Sequence, residues 1–175
     1  FGIYSFVISL SLYFSYADIG FISTGQKYAA EAYATSDWQE EIKILGFTIA
    51  VLICMFVPMM FFLIYCYWFP EVVFNDLSKE SSDVAGGLLL VLGFFTPIQV
   101  ILQRAVSIIF AVRLLDFIVT RIDIFFNLVK LSSLFYFFTQ DSYMIVEYFL
   151  FCTLVTILGS VLGLVYLALK LEFKL

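Results

Sequence analysis

The 175-residue chain contains no histidine. That removes the commonest metal ligand and the commonest general base. Three cysteines occur, Cys54, Cys66 and Cys152, and none stands in a Cys-x-x-Cys pair. Buried free thiols are the default for such residues, so neither a disulfide nor a metal site is expected. Charge is scarce too. Asp, Glu, Lys and Arg make up 13% of the chain, against about 25% in an ordinary soluble domain. The net charge of −5 leaves no basic footprint for nucleic acid. Walker, HExxH and GxSxG sequences are absent, and Gly86 and Gly87 mark a helix entry rather than a phosphate cradle. The chain is therefore not read as an enzyme, no catalytic residue or cofactor is assigned, and ATP-driven pumping is disfavoured.

What is present is apolar. Hydrophobic residues make up 63% of the chain, with 22 Phe and 11 Tyr, and mean hydropathy is +1.06. Lipid is the solvent such a surface tolerates. A spanning helix needs about 20 apolar residues, and the chain offers five candidates: residues 1–33, 38–69, 84–113, 115–138 and 142–170. The first is expected to bend near Gly20. Ser36 or Asp37 caps the second, Glu40 and Glu41 suit its first turn, and Pro58 is expected to kink it. Tyr65, Tyr67 and Trp68 form an aromatic belt at its far end. Pro97 is expected to bend the third. In the fifth, Gly159 and Gly163 form a GxxxG that predicts close helix packing. The expected fold class is all-α: a polytopic transmembrane bundle, a partial N-terminal lobe of a larger transporter.

Loop charges set the orientation. Lys27, Lys43, Arg113, Lys170 and Lys174 fall on one side, with Arg121 just inside it; Lys79 stands on the other. The positive-inside rule puts the first group in the cytoplasm. The residue 1 end is then extracytoplasmic and the residue 175 end cytoplasmic. The chain starts on Phe without a basic leader and stops without a soluble tail, so it reads as a piece truncated at both ends.

Residues 116–130 carry the functional signal. Asp116, Thr120, Asp123, Asn127 and Lys130 follow steps of four and three, and so share one helix face. Arg121 lies nearby. On the preceding helix Thr96, Gln99, Gln103 and Ser107 share a face, with Arg104 beside them. Charges in membrane helices are costly and normally face a bundle interior or a water-filled cavity. A wet interior suggests transport. The competing account is structural, with Asp123 neutralising Lys130 and Asp116 neutralising Arg121.

Two short sequences carry a resemblance. FGIYS opens the chain at residues 1–5, and DIGF follows at residues 18–21 within YADIGFISTGQKYAAEAY, ahead of EEIKILG at residues 40–46. This pattern resembles the polysaccharide (O-antigen) flippase family of the multidrug/oligosaccharidyl-lipid/polysaccharide exporter superfamily. It is specific over residues 1–47 and hydropathic beyond. The resemblance implies helices two to six of a twelve-to-fourteen-helix transporter of the bacterial inner membrane. It implies alternating access and a lipid-linked oligosaccharide cargo of the undecaprenyl pyrophosphate type, with polysaccharide polymerase machinery as a further partner. An anionic head group wants Arg or Lys on its path, which points to Arg104, Arg121 and Lys130, with Lys27 at the cytoplasmic mouth. Gln103 and Asn127 would share hydrogen bonds, and Asp116 and Asp123 would carry a coupling ion. The rivals are a drug or cation antiporter of the same superfamily, a membrane-embedded polymerase or glycosyltransferase, and a structural membrane subunit.

Overall fold

The computed structural model describes residues 5, 8–12, 20–69, 79–138 and 144–170. Its elements are all helical: α1 (Phe21–Ala34), α2 (Trp38–Trp68), α3 (Lys79–Leu90), a π turn (Val91–Phe95), α4 (Thr96–Val112), α5 (Asp116–Phe138) and α6 (Ile145–Lys170). Three stretches are long and apolar enough to cross a membrane: Trp38–Trp68, Ser82–Val112 and Ile145–Leu169. Helix α5 has 23 residues, enough length to span, but Asp116, Arg121, Asp123 and Lys130 interrupt its apolar run.

Residues 1–4, 6–7 and 13–19 of the first expected span lie outside the described residues. Residues 8–12 are helical, and Gly20 precedes α1 with φ 77. A left-handed residue cannot sit inside a right-handed helix. Helix α1 therefore begins only after Gly20, and the expected bend, which also involves residues 13–19, lies outside the described residues. The Ser23 and Thr24 hydroxyls donate to the Gly20 carbonyl at 2.8 and 3.0 Å.

Asp37 caps α2, accepting from the Glu40 N–H at 3.1 Å. The other candidate, Ser36, is left-handed with φ 59 and closes the preceding turn. Helix α2 then runs unbroken through Pro58. Its buried positions Leu45, Thr48, Leu52, Phe56, Leu63 and Cys66 recur at helical spacing.

Pro97 acts through the turn before it. Proline lacks an N–H, and its ring crowds the carbonyl one turn back. The helix answers by widening: Thr96 N–H bonds the Val91 carbonyl, five residues back, and residues 91–95 form the π turn. Gly93 within it touches α2, where a Cβ would stand 2.9 Å from Leu63 Cβ.

The GxxxG glycines seat α6 between its neighbours. A Cβ on Gly159 would stand 3.0 Å from Phe126 of α5, and one on Gly163 2.8 Å from Val106 of α4. The core comprises Leu52, Phe56, Leu63, Leu88, Leu92, Ile108 and Phe110. Helix α5 has no buried residue. It is an outer helix, laid against α6 and α4.

A polar cavity between α4 and α5

A cavity of about 240 Å³ separates α4 from α5. Gln99, Val100, Gln103, Arg104 and Ser107 line it from α4, Val119 and Asp123 from α5. The spacing explains the lining. Residues 99, 103 and 107 form one i,i+4 row, residues 100 and 104 the adjoining row, and 119 and 123 a third on the facing helix. Gln103, Arg104 and Asp123 are half-buried, and Ser107 is exposed.

One guanidinium, one carboxylate, two amides and a hydroxyl thus converge at one place. Arg104 offers a fork of N–H donors, Asp123 accepts, and the glutamines do both. The volume lies below the ~300–1,000 Å³ of typical small-molecule pockets. It suits waters, an ion or one head group rather than a whole large ligand. Among the described residues, no group of three or more Cys, Asp or Glu side chains is placed to hold a metal ion.

Of the residues singled out from sequence, Gln99, Gln103, Arg104, Ser107 and Asp123 meet here. Five of the candidate binding and ion-coupling residues lie outside this lining. Asn127 is exposed and Lys130 half-buried, both further along α5. They share a helix face with Asp123 but not its depth: Lys130 lies about 10 Å along the axis. Asp116 is exposed in the first turn of α5, where its carbonyl accepts from Thr120 at 3.0 Å. Arg121 is exposed over the Phe117 ring at 5.5 Å. Lys27 stands on α1, 3.9 Å from Glu31, with both side chains exposed.

One feature escaped the sequence reading. Arg113 Nη2 donates to Glu41 Oε1 at 3.1 Å, with the two side chains only 6% and 1% exposed. The guanidinium also stands over the rings of Tyr33 at 5.6 Å and Trp38 at 5.2 Å. In sequence Glu41 is a first-turn acid and Arg113 a loop cation, each sufficient by itself. A signal was present nonetheless. Glu41, Leu45, Thr48 and Leu52 form one stripe, so the acid lies in register with the buried face of α2.

Comparison with family models, with curated proteins and with solved structures finds no match. The class defined by the fold itself is all-α, with three helices among the described residues long and apolar enough to cross a membrane.

Proposed function

We propose that the chain belongs to a membrane transporter. The observation that carries this reading is the cavity that Arg104 and Asp123 share between two helices. Ionisable groups at membrane depth are retained where they face a substrate or ion path. A dry structural contact has no need of two glutamines and a serine beside them.

The finer reading follows the resemblance of residues 1–47 to polysaccharide flippases. The cargo is a lipid-linked oligosaccharide repeat, moved outward across the bacterial inner membrane for surface polysaccharide synthesis. Arg104 meets its pyrophosphate through charge-assisted, forked hydrogen bonds. Gln103 takes phosphate or sugar hydroxyls, and Asp123 is the candidate for a coupling ion. Lys130 and Asn127 extend the polar face along α5. In this reading residues 1–33 and α5 also span, giving five spans, with the residue 1 end outside.

A second reading has one observation in its favour. Asp123 shares the cavity with Arg104, and an acid suits an organic cation as cargo, as in a drug antiporter. Vesicle transport separates the two. The complete protein, reconstituted into phospholipid vesicles, is expected to speed the crossing of a fluorescent lipid-linked oligosaccharide, while ethidium neither crosses nor competes. Ethidium transport with no lipid-linked sugar movement would establish the antiporter instead.

A further inference from the structure

The Glu41–Arg113 pair lies outside the cavity, joins residues 72 apart in sequence, and is almost wholly buried. Buried ion pairs add little net stability over well-packed apolar side chains, and one attested use is to fix a particular arrangement. The position of Arg113 shows which arrangement that is.

Arg113 follows the last residue of α4, and the turn leads straight into α5. That turn is short and heavily bonded. Arg113 N–H bonds the Phe110 carbonyl at 3.2 Å, Leu114 N–H the Ala111 carbonyl at 3.0 Å, and Leu115 N–H the Phe110 carbonyl at 2.9 Å. Leu114 is left-handed with φ 58. A displacement of Arg113 is therefore passed to both helices. Each helix carries one cavity charge. At ~1.5 Å per residue, Arg104 lies about 14 Å along α4 from Arg113, and Asp123 about 10 Å along α5 from Asp116.

We infer that Glu41 and Arg113 are positioning residues for the cavity: their ion pair anchors the α4–α5 turn on α2 and so sets the separation of Arg104 from Asp123. Tyr33 and Trp38 hold the guanidinium plane, which is why the position takes Arg. Lysine keeps the charge but loses the fork and the flat stacking surface. The inference takes from the transport reading only that this cavity is the working site.

The test is a distance measurement on the full chain in lipid nanodiscs, with Cys54, Cys66 and Cys152 replaced by Ala. Spin labels at Ser107 and Leu128 report α4 against α5, and labels at Phe61 and Leu158 report α2 against α6 as the control. Glu41→Gln and Arg113→Lys are expected to shift or broaden the 107–128 distribution by about 1–2 Å or more, the scale of helix displacements in switching proteins. The 61–158 distribution should stay put. Exchange of the two charges, Glu41→Arg with Arg113→Glu, should restore part of the original distance. If a single variant does not reach the membrane, Glu41→Gln with Arg113→Gln removes both charges and is measured instead. A 107–128 distribution unchanged in folded variants overturns the inference. Failure to move lipid-linked sugar leaves these distances untouched, so it counts against the transport reading alone.

Discussion

Gly25 of α1 lies directly against Thr48 of α2, so close that a Cβ on the glycine would stand 2.8 Å from Thr48 Cγ2. Both residues are buried, and Thr48 is held in place by its hydroxyl, which donates to the Ile44 carbonyl at 2.8 Å. The two helices cross at a point with no room for a side chain.

A pair of glycine substitutions exploits that contact. Gly25→Ala is expected to lower thermal stability, because Thr48 must shift to admit the methyl. Gly46→Ala should do the opposite. Gly46 is an exposed position within α2, and an added Cβ meets nothing within 4 Å. Replacing a helical glycine by alanine gains up to about 1 kcal/mol. Thermal unfolding in detergent, followed by circular dichroism, checks both signs.

The buried ion pair makes a second prediction. Removal of one partner of a buried ion pair costs about 3–5 kcal/mol. Glu41→Ala and Arg113→Ala are each expected to unfold earlier than the parent. Glu41→Leu combined with Arg113→Met should recover most of the loss, since no lone charge remains. Unfolding of the double variant as early as the worse single variant would contradict this.

Orientation can be read by labelling. Helix α2 has 31 residues, about 46 Å at helical rise, longer than a ~30 Å hydrocarbon core. In a bilayer its ends would reach opposite faces. In intact cells, a cysteine at Asp83 should react with an impermeant thiol reagent and a cysteine at Ser36 should not. Both positions are exposed. The reverse pattern would invert the proposed topology.

Cavity access gives a fourth prediction. Cysteines at Gln103, Ser107 and Asp123 should react with a hydrophilic thiol reagent in the membrane-embedded protein. Cysteines at Ile124, Phe125 and Leu128 should not; these side chains are exposed on the outside of α5, the face that the transport reading gives to lipid. Equal reactivity of the two sets would mean that water does not distinguish the faces.

Local signals made much of this legible. The expected helix over residues 115–138 agrees closely with α5, Asp116–Phe138, because its edges are marked by Asp116 and by the end of an apolar run. The α4 polar row was also readable, since Gln99, Gln103 and Ser107 repeat every four residues. Depth was not. A helical wheel projects Asp123, Asn127 and Lys130 onto one face and discards the axial rise that separates them. The Glu41–Arg113 pair was harder still, because its partners are 72 residues apart and each has a sufficient local explanation. Pro97 announced a distortion, but the form it takes, a π turn with Gly93 against Leu63, depends on the neighbouring helix.

The central claim is that Arg104 holds an anionic head group in the cavity between α4 and α5. Loss of a hydrogen bond to a charged group costs about 1.5–3 kcal/mol, or roughly 10- to 150-fold in affinity. The most direct measurement is surface polysaccharide in cells whose sole copy of the complete protein carries Arg104→Ala, scored beside its membrane abundance. The account predicts normal abundance with polysaccharide lost or greatly reduced, and partial return with Arg104→Lys, which restores the charge without the fork. Normal surface polysaccharide in the Arg104→Ala cells would contradict it.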